Sequence, residues 1–526
     1  MKALFYLAFI GLFSANLAFA QPVNTNISNG IAFDGEPFLA INPSNNQNLI
    51  AAWIGVKFIN GALTTVIKTK SSFNGGTTWS TGNNLPHFAL SYGSADPSIA
   101  FSTNGTAYIC FIDHQESPDS GGVFVARSIN GGLNWDTPTL AIDMYDSPSQ
   151  KPIDRPWVVI DNSTMTSNGT LYITSMPPSF IAPPNRPFYK VSTDGGYTWT
   201  TLANLDGPGY LTGGSIQAVM ATPATTKDGK FIATYPSYVA AQNSMPTYYL
   251  AKSADQGQTM TYSTVYSYLP GTTNSNFKKG YHLLADPSNT NKMIFLLPLA
   301  SNGDSDIEAT HSNDAGQTWS NRIRVNDDAL GNGKAQDMVW GDYNENGDLI
   351  VTWRDRRNSS ANDFWGAGYD FYYAKSLDNG QSFGQNQKLT SQFVAFDSLI
   401  ANNGNDFMSC VYRGDTLYSV WGDTRNNKMN IYFTKTIISS NTTIGLTYLD
   451  GNETSWKLFP NPVDEELNIS IDSKMIGKKY TIYSVHGQLL LFGIISNENV
   501  RVDCSSLSKG SYILEINETL RQFLVE

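Results

Sequence analysis

One short segment returns along this chain, and that recurrence limits the fold more than any other feature. "KVSTDGGYTW" (Lys190 to Trp199) has near-copies in "SSFNGGTTW" (Ser71 to Trp79), "SINGGLNW" (Ser128 to Trp135), "SADQGQTM" (Ser253 to Met260), "SNDAGQTW" (Ser312 to Trp319) and "SLDNGQSF" (Ser376 to Phe383). They follow one another at intervals of about sixty residues. An Asp or Asn side chain can bond the backbone amides just ahead of it, and glycine supplies the positive φ that closes a hairpin. Between these turns lies a second repeat of two apolar, β-branched strands around an Asn/Gly/Asp turn, as in "EPFLAINPSNNQNLIAAW" (Glu36 to Trp53) and "DMVWGDYNENGDLIVTWRD" (Asp337 to Asp355). A seventh copy, near "YFTKTI" (Tyr432 to Ile437), keeps its strand but has lost the turn. Seven units of four strands predict an all-β chain, a β-propeller of seven blades with six as the alternative, over residues 21–440.

The 526 residues carry a formal net charge of −11 and no run rich in Lys or Arg. Nucleic acid and anionic membrane surfaces, both gripped by basic patches, are therefore not expected partners. Residues 1–20 read as an export signal: Lys2, an apolar stretch from Leu4 to Phe13, and Ala18-Phe19-Ala20 before Gln21. No later apolar run is long enough for a transmembrane helix. Cys110, Cys410 and Cys504 fit neither a disulfide framework nor zinc-ligand spacing. No calcium-loop pattern stands out, so neither metal nor cofactor is expected.

The tail changes character. After a polar linker at 441–455 come "LFPNPVDEELNISI" (Leu458 to Ile471), "KYTIYSVHGQLLL" (Lys479 to Leu491) and "VDCSSLSKGSYILEI" (Val502 to Ile516). Alternating apolar positions and Gly-containing turns predict a small antiparallel β-sandwich over 456–526.

The Ser-x-Asp/Asn-x-Gly-x-Thr-Trp turns resemble the Asp-box, or BNR repeat, of the sialidase-like propellers. The F-P-N-P, I-Y-x-x-x-G and S-L-x-x-G-x-Y signals of the tail resemble the sorting domain of type IX secretion substrates. The second resemblance implies passage through the periplasm to the cell surface or medium, with the type IX machinery as a partner. The first implies an exported glycosidase acting on an acidic or polar glycan, with the boxes on the face away from the site.

In a propeller, the start of each inner strand and the end of the next strand converge on one central funnel. The starts supply Glu36, Asp96, Asp154-Arg155, Tyr281-His282, Asp337 and Asp406; the ends supply Asp113-His114, Arg354-Asp355-Arg356 and Asp423-Thr424-Arg425. Arginines from separate blades, Arg155, Arg354 or Arg356, and Arg425, could aim guanidinium forks at one carboxylate. The sialidase resemblance implies such a triad, with Asp96 or Asp113 as acid/base and Tyr281 as nucleophile beside Glu36. His114, His282, Asp337 and Asp423 complete the candidate substrate contacts. The family's early Arg-Ile-Pro motif is absent: the first arginine is Arg127, and "GEPFLAINP" stands where the motif is expected. A non-catalytic glycan- or protein-binding propeller and a polysaccharide lyase therefore stand beside the hydrolase.

Overall fold

The computed structural model describes residues 22–59, 61–216, 218–269, 280–360, 367–395, 406–438, 456–484, 489–516 and 519–525. The expected export signal at 1–20 and the linker at 441–455 lie outside the described residues. The chain divides into two compact units between Ser439 and Ser440.

Among the described residues, the first unit holds seven four-stranded antiparallel sheets. Their inner strands are Gly35–Asn42, Gly93–Phe101, Asp154–Ile160, Thr222–Thr225, His282–Ala285, Gln336–Tyr343 and Ser409–Arg413, which define blades 1 to 7. Each inner strand packs against the next, and the seventh returns to the first. The ring is a seven-bladed β-propeller, and the six-bladed alternative falls away. Apolar clusters fill the seams between blades, such as Ile50, Ile67, Phe111 and Phe124 between blades 1 and 2, as expected of sheets covered on both faces.

Blade 7 explains its own missing turn. Its fourth strand is Asn24–Asn26, from the start of the described chain, which pairs antiparallel with Asn430–Ile437 through Asn24↔Thr434 and Asn26↔Tyr432. Because Asn24–Asn26 supplies the fourth strand, blade 7 needs no Ser-x-Asp-x-Gly turn to lead into one.

The register fixes the two faces. Ile41, Leu49 and Ser72 stand level across blade 1, as do Phe101, Ala107 and Ser128 across blade 2. The turns that begin at these serines therefore sit at the opposite end of each blade from Glu36 and Asp96. In the turn at Ser192, the Ser192 hydroxyl donates to Asp194 and accepts from the Gly196 amide, while Asp194 accepts from the Thr198 amide at 3.0 Å. The tryptophans bridge blades: Trp135 Nε1 of blade 2 donates to Thr69 Oγ1 of blade 1, and Trp79 of blade 1 meets Phe433 of blade 7 edge to face.

The second unit is a sandwich of two sheets. Trp456–Phe459, Glu466–Ile471 and Asn499–Asp503 form one, and Lys479–Ser484, Leu489–Ile494, Gly510–Ile516 and Thr519–Val525 the other. Trp456, Leu467, Ile482, Leu514 and Phe523 share its core. All three cysteines are buried and unpaired.

Candidate active site

Four inner strands begin with the same irregularity. Pairing with the second strand skips from Gly35 to Phe38 in blade 1, from Ala95 to Ser98 in blade 2, from Asp154 to Trp157 in blade 3 and from Asp337 to Trp340 in blade 6. At each skip one residue is held at positive φ: Glu36 at 53°, Asp96 at 51°, Arg155 at 47° and Met338 at 52°. Such bulges re-aim a side chain, and a left-handed non-glycine residue costs on the order of 1–3 kcal/mol. In blades 1 to 3 the re-aimed side chains are charged, and they meet at the mouth of the channel.

Asp96 is the hub. Its Oδ2 accepts from the Arg155 amide at 3.1 Å, and side-chain hydrogen bonds join it to both Glu36 and Asp154. Burial, then the charges of Asp96 and Asp406, pushes the Glu36 carboxyl well above its ordinary range. Burial and Asp96 raise Asp154 to about 7 against the pull of Arg155. The Arg155 guanidinium pairs with Asp406 of blade 7 at 2.7 Å and lies 5.2 Å from the centre of the Phe407 ring. The mouth thus gathers four carboxyl groups around one arginine, and two of them favour their protonated forms.

Two members of this cluster, Asp96 and Asp154, line a cleft of about 550 Å³ between blades 2 and 3. Asp96 and Asp154 line it with His114, Glu116, Asp119, Lys151 and Phe180. Its volume falls in the range of small-molecule sites.

The other expected residues have different employment. Asp113 is fully buried; its carboxylate accepts from the Phe88 amide and from Ser94 Oγ, and contacts His87 Nδ1 at 2.8 Å. It braces the connection between blades 1 and 2. The Tyr281 hydroxyl donates to the Met220 carbonyl, and burial raises its phenol above the ordinary range, which is unlike an activated nucleophile. The expected arginine triad does not converge on one ligand carboxylate: Arg155 is paired with Asp406, Arg354 and Arg356 share Asp337, and Arg425 is paired with Asp423. Arg354 grips Asp337 with two hydrogen bonds of 2.7 and 2.6 Å, and Arg356 adds a third at 3.1 Å, with all three side chains at most 1% exposed. Arg425 grips Asp423 and reaches Asn24 on the outermost strand of blade 7, at the periphery of the ring.

Register shows why the arginines separate. Trp353 Nε1 donates to Asp355 and Trp421 Nε1 to Asp423, and each aspartate accepts the amide two residues on, from Arg357 or Arg425. The counterpart of Arg425 is therefore Arg357, and W-x-D-x-R is a clamp at the end of the second strand.

His282 belongs to a plug. Trp157 and Trp340 stack at 5.1 Å, with His282 against both rings and Phe38 edge-on to both. The Gly341 amide donates to His282 Nδ1 at 3.3 Å, which places the proton of the neutral ring on Nε2, and burial lowers the imidazole to about 3. Ser98 and Ser409 accept from Val158 and Leu39 in the same way. Beyond the plug lies a second cavity of about 630 Å³, walled by Ile41, Ile99, Val159, Leu284 and Val411 towards the inner-strand turns.

Residues 457–524 match the family described as Secretion system C-terminal sorting domain. The tail is a sorting domain. It marks the chain as exported, to the cell surface or beyond, and no helix of the described residues is long and apolar enough to cross a membrane. The sorting domain accompanies a propeller similar to solved β-propellers at low identity. The Fusarium graminearum α-L-arabinofuranosidase Arb93A is 10% identical, with a TM-score of 0.43 over 80% of this chain and 99% of that one. The Ruminococcus gnavus intramolecular trans-sialidase is 13% identical, with a TM-score of 0.41 over 78% and 97%. Among curated proteins, beta-agarase A of Zobellia galactanivorans is 27% identical over 169 residues, which is 29% of this chain and 29% of that protein. The match thus spans less than a third of the agarase.

Beside the sorting domain, sequence reasoning named Asp154 without giving it a role, and missed the cleft rim of Glu116, Asp119, Lys151 and Phe180. One signal pointed to the mouth: in Glu36-Pro37, Asp96-Pro97 and Arg155-Pro156, a charged residue precedes proline at the start of an inner strand.

Proposed function

We propose that this exported propeller is a glycoside hydrolase acting on a neutral, hydroxyl-rich glycan. The observation that carries the reading is the Glu36–Asp96–Asp154 cluster, of which Asp96 and Asp154 line an open cleft, with Asp154 raised to about 7. Glycoside cleavage uses a carboxylic acid that keeps its proton near neutrality beside a second carboxylate. Asp154 gives its proton to the departing glycosidic oxygen, and Asp96 stabilises the positive charge that grows at the anomeric carbon. Water then adds its oxygen to that carbon and releases a proton to the carboxylates.

Charge supports a neutral substrate. With Asp154 holding its proton, Asp96, Glu116 and Asp119 line the cleft against Lys151 among the described residues, and Arg155 is engaged by Asp406. A sialoside or uronate would enter against this field.

The test is a panel of neutral oligosaccharides, sialosides, sulfated glycans and uronates, read for new reducing ends and for unsaturated products. Reducing ends from a neutral member, lost in Asp154→Asn and Asp96→Asn with binding retained, are expected. Unsaturated products would make the protein a lyase, and binding without any product would make it a glycan-binding propeller.

A further inference from the structure

We propose that Phe180 is a sugar-stacking platform and that the cleft between blades 2 and 3 takes an oligosaccharide instead of a single sugar. The proposal rests on the hydrolase reading only for the position of the bond that breaks.

Phe180 is 71% exposed at the edge of the cleft that holds Asp96 and Asp154. Two other exposed aromatic rings lean on protein groups: Phe88 on Phe124 at 5.1 Å, and Tyr197 under the Arg127 guanidinium at 3.6 Å. Phe180 has the Lys151 ammonium 6.0 Å from its ring centre, and that ammonium is itself paired with Asp119. The ring thus contributes little to packing.

The loop that presents it is pinned. Between the strands Leu171–Met176 and Phe188–Ser192 it carries Pro177, Pro178, Pro183, Pro184 and Pro187. Gln150 Nε2 donates to the Pro184 carbonyl, Arg186 N donates to Gln150 Oε1, and Arg186 Nε donates to Asp206 at 2.8 Å. Asn185, fully buried, donates to the Ile181 carbonyl. Proline and these anchors remove most of the conformational entropy that a flexible loop would lose on binding.

A rigid, exposed aromatic face beside a polar cleft matches the amphipathic surface of a sugar. Ring C–H groups cover the aromatic face, while hydroxyls reach Lys151, Asp119, Glu116 and His114. Phe180, Asp96 and Asp154 line the same cleft of about 550 Å³, so one sugar ring on the exposed platform leaves room for a second at the two carboxyls.

The experiment is calorimetry of the full-length wild type, Phe180→Ala and Phe180→Trp with neutral tetrasaccharides of the gluco-, galacto-, xylo-, manno- and arabino- series, alongside product release. At least one tetrasaccharide is expected to bind about tenfold more weakly to Phe180→Ala, and to Phe180→Trp within about threefold of wild type, with thermal unfolding unchanged. Affinity for Phe180→Ala within about twofold of wild type, or no tetrasaccharide bound by wild type, overturns the platform. Cleavage with Phe180-independent affinity overturns the platform and leaves the hydrolase standing. Phe180-dependent affinity without cleavage does the reverse.

Discussion

Arg155 Nη2 lies 2.7 Å from Asp406 Oδ2, an ion pair that reaches across the mouth from blade 3 to blade 7, two non-adjacent blades. The same guanidinium opposes the rise of both Glu36 and Asp154. Replacing it with a neutral group therefore acts on stability and on titration together. Arg155→Gln should cost about 1.5–3 kcal/mol, the range for a hydrogen bond to a charged group, and should raise the Asp154 carboxyl above its present value of about 7. Chemical denaturation and a carboxyl-resolved NMR titration measure the two effects. A stability loss with an unmoved Asp154 would show that the pair only ties blades together.

Asp154 also sets a pH dependence with a definite sign. Its folded-state value is raised to about 7, so the native protein holds a proton that the unfolded chain releases near pH 4. The stability this group contributes is complete below that pH and declines as pH climbs through about 7. Asp154→Asn should flatten this decline, making the variant more stable than wild type above neutrality by roughly 1–3 kcal/mol. Melting temperatures across pH 4 to 9 read it directly. Turnover, which needs the protonated acid, should fall through the same pH and drop by about 10²–10⁴-fold in the variant.

Asp337 is the counter-case, a charge whose role is internal. Burial alone would raise its carboxyl, but Arg354 and Arg356 outweigh burial and hold it below the ordinary range. Asp337→Asn leaves two guanidinium groups, each at most 1% exposed, facing one neutral amide. The expected loss is about 3–5 kcal/mol, as for a broken buried ion pair, seen in the urea midpoint. Affinity for any glycan, measured where the fold survives, should stay as it was.

The sorting domain should be separable from the propeller. It has its own core around Trp456, Leu467 and Phe523, and the division between units falls at Ser439 and Ser440. A chain ending at Ser439 should unfold at the wild-type propeller temperature when purified, and should accumulate inside the producing cell. Normal amounts outside the cell would remove the sorting role, and a lowered melting temperature would remove the independence.

Much of the fold was legible because repetition reports geometry. The Ser-x-Asp/Asn-x-Gly turns at Ser72 through Ser376 recur once in each of the first six blades, and the strand repeat between them supplies the seventh unit, whose turn is lost. The site was less legible, because a bulge changes which residue faces the mouth. Asp113 and Asp96 both look like strand-end carboxylates; Asp96 sits on a bulge at φ 51° and turns to the opening, while Asp113 stays in register opposite Ser94 and is consumed by it and by the Phe88 amide. Alternation along a strand predicts facing only while pairing is regular. Nor could spacing show that Arg354 and Arg356 both turn to Asp337, since Arg356 lies just past the end of the second strand and the acid comes from the neighbouring inner strand.

The strand that completes blade 7 sets a timetable for folding. Asn24–Asn26 pairs with Tyr432 to Thr434, so this strand waits for nearly the whole propeller to follow it from the ribosome. The ring joins its two ends through the longest loop it contains, a closure whose entropic cost grows slowly with length but whose rate suffers from distance. Until then the inner strands of blades 1 and 7 lack each other as neighbours, and the Arg155–Asp406 bridge has no far bank. Completing the mouth thus requires the closed ring, because a chain that stops short of Asp406 lacks the carboxylate that Arg155 meets.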